Sequence, residues 1–125
     1  MKEIINSTKA PAPIGPYSQA VKTGNTLYIS GQIAFVPGTD NLLLASIEEE
    51  THQVMKNLGA ILKEAGADYS NVVKCSIFVS DMGNFGKINT VYGEYFTSNP
   101  PARETVEVSC LPKNVNVEIS CIAVL

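Results

Sequence analysis

The sequence predicts a single α+β domain in which two helices cover one face of a sheet, and three observations support that expectation. Apolar residues recur at helical spacing in two segments, around residues 46–65 and 84–96. Period-2 alternation marks residues 18–23, 26–33, 71–80 and, across a short interruption, 102–123. The chain has 125 residues, 45% of them apolar, enough for one real core and too apolar for disorder. It shows no repeat, low-complexity tract or internal boundary, so residues 1–125 read as one domain.

Residues 3–6 suggest a short opening strand. Pro11, Pro13 and Pro16, with Gly15, then make a constrained loop. Tyr17 ends that loop, where a tyrosine either offers its hydroxyl to a ligand or anchors its ring on the body. A turn at Gly24 and Asn25 joins strands at 18–23 and 26–33. In the second of these, Leu27, Ile29 and Gly31 alternate with Tyr28, Ser30 and Gln32. A glycine inside a strand marks a bulge or a close approach by a ligand, so Gly31 is open to both. Residues 37–45 read as a loop around Pro37 and Gly38.

Ser46 and Glu49 have capping-box spacing, and Glu48 to Glu50 suit the positive end of a helix. Val54, Met55, Leu58, Ile61, Leu62 and Ala65 form its apolar stripe, and Gly66 stops it. His52 is the sole histidine and has no second ligand at metal spacing, so no metal site is expected. Residues 71–80 set Val73, Cys75, Ile77 and Val79 against Lys74, Ser76, Phe78 and Ser80, a strand. A second helix starts near Asn84 with a core stripe of Phe85, Ile88, Val91, Tyr92, Tyr95 and Phe96. Asn89 beside that stripe reads as a cap to a neighbouring loop or as a ligand contact.

The last quarter holds the only arginine, Arg103, against eight lysines elsewhere. Its planar fork grips a carboxylate through two hydrogen bonds, which lysine cannot reproduce. Arg103, Thr105, Glu107 and Ser109 share one face of the run, and Ala102, Val106, Val108 and Cys110 the other, which Glu104 interrupts. Beyond Leu111–Asn114, Val115, Val117, Ile119, Cys121 and Ala123 share a face, opposite Asn116, Glu118 and Ser120. Two such runs predict a β-hairpin with one buried side. The hairpin would set Glu118 roughly opposite Glu107, with Arg103 on the order of 10 Å away on the same polar side. On spacing alone, the commoner reading of both charges is solvated strand surface.

A net charge of −3, a pI near 5.0 and singly scattered lysines argue against nucleic acid as the main partner. No apolar run approaches the ~20 residues of a membrane span, and the first residues lack signal-peptide features. Cys75, Cys110 and Cys121, odd in number and in strand-like runs, suggest buried thiols in a reducing cytoplasm. The chain carries no P-loop, GxGxxG, CxxC or Ser–His–Asp set, so no covalent or metal mechanism has evident residues.

The stretches IGPYSQAV (14–21), LYISGQI (27–33), SDMGNFGKIN (80–89), PARETVEV (101–108) and LPKNVNVEISCIAV (111–124) resemble the Rid (YjgF) family, closest to its RidA branch of imine deaminases. The resemblance spans essentially the whole chain. It implies a chorismate-mutase-like fold, assembled as a homotrimer with clefts between subunits. It also implies cofactor-free hydrolysis of 2-imino acids, the unstable products of pyridoxal-phosphate dehydratases, to 2-keto acids and ammonia. By its motifs, Arg103 would bind the substrate carboxylate and Glu118 would position or activate water. Tyr17, Ser30, Gly31, Asn89, Thr105 and Pro112 would line the cleft.

Two positions depart from the family pattern: Thr105, where many relatives carry cysteine, and Glu104, where a small residue is usual. Alternation turns Glu104 away from the pocket, yet a bulge would let it compete for Arg103. The chemistry suits these residues. A 2-imino acid offers a carboxylate to grip and an electrophilic carbon for water to attack, so orientation by Arg and proton transfer by Glu suffice. Two other functions stay open at this point: a non-catalytic sensor of small carboxylates, and an endoribonuclease or translation inhibitor.

Overall fold

The computed structural model describes residues 1–125. The strands are β1 (Lys2–Ile5), β2 (Ala20–Thr23), β3 (Thr26–Gln32), β4 (Val72–Val79), β5 (Ala102–Glu107) and β6 (Val117–Val124). The helices are α1 (Ile47–Glu64) and α2 (Phe85–Tyr95). One sheet collects all six strands in the order β1–β2–β3–β6–β4–β5. Only β4 and β5 run parallel; every other neighbouring pair is antiparallel.

Helix α1 starts where the cap spacing predicts: the Ser46 hydroxyl accepts the Glu49 N–H at 3.1 Å. It ends before Gly66, whose φ of +80° only glycine adopts without strain. Its buried Val54, Met55, Leu58, Ile61 and Leu62 face Leu27, Ile29, Ile77, Val117 and Ile119 of the sheet in one apolar core. Ile88 and Tyr92 of α2 complete it. Each fully buried aliphatic side chain contributes roughly 1.5–3 kcal/mol, so this layer holds the domain together. The other face of the sheet has no helix. Ile4, Tyr28, Val106 and Val124 stand 43–50% exposed there.

The expected C-terminal hairpin does not form. A strand reached from β4 through a helical crossover joins the sheet parallel to β4, and β5 does so, with Arg103 beside Cys75 and Thr105 beside Ile77. The chain then crosses the end of β4 through a tight turn at Pro112–Asn114, with positive φ at Lys113 and Asn114. β6 enters antiparallel between β3 and β4, so both of its edges are paired. Glu118 therefore faces Phe78, while Glu107 lies beside Val79. The alternation in β5 is real, but its sides are reversed. Arg103 and Thr105 turn toward the helices, whereas Ala102 and Val106 are exposed.

Cys75 and Cys121 are buried register partners on β4 and β6, both free. Cys110 departs from expectation: it lies past the end of β5 and is exposed.

Candidate active site

Glu118 alternates with the buried Val117 and Ile119, so its side chain leaves the sheet on the helix-free face. It reaches across to β3 at Gly31. A Cβ on Gly31 would meet the Glu118 carboxylate, lying 2.8 Å from Cδ and 3.0 Å from Cγ. The pairing of β3 with β6 is irregular between Ile29 and Gln32, so the glycine sits in a bulge as well as under a close approach. What approaches is the glutamate. Both borders of a cavity of about 310 Å³ carry predicted residues: Tyr17, Ser30 and Gly31 on one side, Pro112 and Glu118 on the other. Partial burial raises the Glu118 pKa above the ordinary carboxylate value, which favours proton transfer nearer neutrality.

The rim is held by hydrogen bonds that sequence patterns do not announce. The Ser30 hydroxyl donates to the Ser18 carbonyl at 2.6 Å, and the Tyr17 hydroxyl accepts the Ile14 N–H at 3.2 Å. Buried Gln19 accepts the Ser7 N–H at 2.7 Å and donates to the carbonyls of Ser7 and Pro11, which fixes the proline loop. Buried Asn57 on α1 donates to the carbonyls of Ile33 and Phe35 at the cavity wall. One signal for Asn57 existed: it is a polar residue on the apolar side of α1. Gln19 carried none.

Arg103 belongs to a second cluster. Its Nη1 donates to Asn89 Oδ1 at 2.6 Å. Its guanidinium carbon lies 5.0 Å from the Tyr92 ring centroid and 5.5 Å from that of Phe85. Phe85, Asn89 and Tyr92 follow at helical spacing along α2, so one helix face cradles the fork through a hydrogen bond and cation–π contacts. Phe85 is thus not simply core. Thr105 points to the same side, with its hydroxyl buried and without a hydrogen-bond partner. Glu104 points the other way, where Ser76 donates to it and Lys74 Nζ lies 3.0 Å from it. It does not compete for Arg103. His52 pairs with the Tyr95 hydroxyl at 2.9 Å, away from both clusters.

The eight predicted residues thus form two groups and not one. Tyr17, Ser30, Gly31, Pro112 and Glu118 meet at the cavity, while Arg103, Asn89 and Thr105 meet under α2. Two strand spacings and three residues along the strand separate the Cα atoms of Arg103 and Glu118, on the order of 14 Å. The side chains also leave opposite faces of the sheet. Within one chain, the fork and the carboxylate cannot touch the same small molecule.

A family model described as Endoribonuclease L-PSP matches residues 7–125. The chain is 47% identical over 124 residues to the chloroplastic Reactive Intermediate Deaminase A of Arabidopsis thaliana, spanning 99% of this chain and 66% of that one. It is 48% identical over 124 residues to the 2-iminobutanoate/2-iminopropanoate deaminase of Mus musculus, spanning 99% and 92%. The crystal structure of E. coli TdcF with bound serine superposes with a TM-score of 0.94 at 36% identity, covering 98% of each chain. The chain belongs to the Rid (YjgF) family.

Proposed function

We propose that the protein hydrolyses 2-imino acids to 2-keto acids and ammonia, as a 2-iminobutanoate/2-iminopropanoate deaminase, in clefts between the subunits of a homotrimer. The observation that carries this reading is the division of the site. An arginine fork suited to a carboxylate and a half-buried glutamate suited to proton transfer occupy opposite faces of one chain. A second copy that brings its Arg103 to the Glu118 cavity supplies both ends of an imino acid. The half-exposed apolar residues of the helix-free face, and the free outer edge of β5, suit association between copies. The deaminase names of the plant and mouse relatives support the reaction class.

In the reaction, Arg103 holds the carboxylate and fixes C2 near Glu118. Glu118 accepts a proton as water oxygen bonds to C2, giving a tetrahedral amino alcohol. Glu118 returns that proton to nitrogen and then takes the hydroxyl proton as the C–N bond breaks, so ammonia leaves, the carbonyl forms, and the departing ammonia carries the last proton away. An iminium carbon is already electrophilic, so orientation and one proton relay supply most of the catalysis. Free Cys75 and Cys121, facing each other across β4 and β6, suit a reducing compartment such as the cytoplasm. The test is keto-acid release from 2-iminopropanoate generated in situ by an amino-acid oxidase. Acceleration over the uncatalysed rate, abolished by Glu118→Gln, supports the proposal. Serine bound to the E. coli relative favours a second reading, a binder of small amino or keto acids without turnover. Binding with no acceleration would select it. RNA cleavage by a tightly purified sample would instead point to the activity in the family description, which the scattered lysines disfavour.

A further inference from the structure

Glu50 on α1 is wholly buried, yet it serves no part of the cavity lining. Its Oε2 accepts the backbone N–H groups of Asn116 at 2.8 Å and Val117 at 3.2 Å. Its Oε1 accepts the Asn116 side-chain amide at 2.7 Å. The pairing of β3 with β6 stops at Gln32 and Ile119. Residues 116 and 117 therefore enter the sheet without a β3 partner, and the Glu50 carboxylate takes that place. The Asn116 carbonyl in turn accepts the Ser80 N–H at 3.1 Å, which ties the same point to the end of β4. Glu118 is the next residue along.

We infer that Glu50 is a positioning residue for the deaminase reaction: its buried carboxylate clamps the start of β6 and so sets where the Glu118 carboxylate stands over Gly31. This rests on the proposed function. The tolerance at Glu118 is small. Gly31 leaves just enough room for its side chain, and beyond residue 119 the backbone is locked by β3 and β4 on both sides. Freeing the N–H groups of residues 116 and 117 leaves the entry of β6, on which Glu118 rides, held from the β4 side alone. A carboxylate is the fitting group, because all three partners are N–H donors and both of its oxygens accept. Two N–H groups converge on one oxygen and the third on the other, so the clamp fixes rotation as well as distance. Arg103 is untouched, being held from α2.

The test is a double-mutant cycle. Glu50→Met keeps the volume and removes both acceptors, and Asn116→Ala removes one arm only, for the case in which the first variant does not fold. With purified, folded protein, Glu50→Met should lower kcat on 2-iminopropanoate by roughly 10- to 100-fold, the effect of a misplacement on the order of 1 Å, with KM little changed. Asn116→Ala should lower it about threefold to tenfold by the same loss of orientation. Glu50→Gln should restore most of the rate, since its oxygen can serve both backbone N–H groups while the Asn116 amide turns over. In a Glu118→Gln background neither loss should recur, because a residue acting through Glu118 has nothing left to position. Equal losses in both backgrounds, or wild-type kcat in folded Glu50→Met or Asn116→Ala, would overturn the inference. The 13C resonance of the Glu118 carboxyl carbon separates the two claims. Should the wild type not hydrolyse imines, the deaminase reading fails, and a Glu118 resonance unmoved by Asn116→Ala refutes the clamp independently.

Discussion

Gly31→Ala isolates the geometry of Glu118 from the stability of the fold. The added methyl would lie 2.8 Å from Glu118 Cδ and 3.0 Å from Cγ, whereas ordinary contact begins near 3.4 Å. The shortfall at Cδ is about 0.6 Å, and the carboxylate beyond it is closer still. The three nearest atoms all belong to the Glu118 side chain, and Gly31 does not have a positive φ, so the strand conformation itself accepts alanine. Relief comes from the glutamate, whose carboxylate must swing away. Stability should change little, since a compatible Gly→Ala change contributes roughly 0.4–1 kcal/mol through the unfolded chain and the contact offsets it. Activity should fall about 100-fold, the usual consequence of a misplacement on the order of 1 Å at a reacting centre. Keto-acid release from in-situ 2-iminopropanoate and a melting curve on the same preparation measure both. A variant that melts normally and turns over at the wild-type rate would refute the claim that the Glu118 position is catalytic.

Arg103→Lys should fold normally and lose roughly 10- to 100-fold in kcat/KM, as expected for one charge-assisted hydrogen bond of about 1.5–3 kcal/mol; steady-state kinetics decide it, and equal activity would remove the carboxylate clamp. Glu118→Gln should lower the rate roughly 10²–10⁴-fold while leaving keto-acid binding intact. Burial raises the Glu118 pKa, so its ionised form opposes folding above that pKa and its neutral form does not. Glu118→Gln should therefore melt higher than wild type at neutral pH, with the difference vanishing below the ordinary carboxylate pKa; melting curves across pH 3–8 check the sign. Thiol titration without reductant should find one reactive group, Cys110, in the native protein and three after denaturation, because burial raises the pKa of Cys75 and Cys121.

Much of the fold was legible because it is local. The Ser46 cap, the α1 stripe and the turn at Gly24 are each set by residues within one turn or one hairpin of each other. The partner of β5 was not. Its alternation says which residues share a side, but a short connection to β6 does not say that the two strands pair; the crossover through α2, between Val79 and Ala102, decides that. The same limit split the site. Tyr17, Ser30, Gly31, Pro112 and Glu118 were recognisable by motif and do meet, yet the motif is silent on which face each strand turns. Sequence spacing put Arg103 on the same side of a hairpin as Glu118, on the order of 10 Å away; topology turns it to the opposite face, with Asn89 under α2. Buried polar residues such as Gln19 leave no periodic trace, because their partners are main-chain groups of distant loops.

Subunit complementation tests the central claim most directly, that the working site takes Arg103 from one copy and Glu118 from another. Arg103→Lys and Glu118→Gln proteins, each nearly inactive alone, are mixed, unfolded and reassembled, with sedimentation equilibrium confirming trimers. In a random mixture about one cleft in four unites an intact Arg103 with an intact Glu118 from the neighbouring chain. Imine hydrolysis should then return to about a quarter of the wild-type rate, scaling with the mixing ratio. Reassembled mixed trimers no more active than their parents, or a wild-type protein that sediments as a monomer, would contradict it.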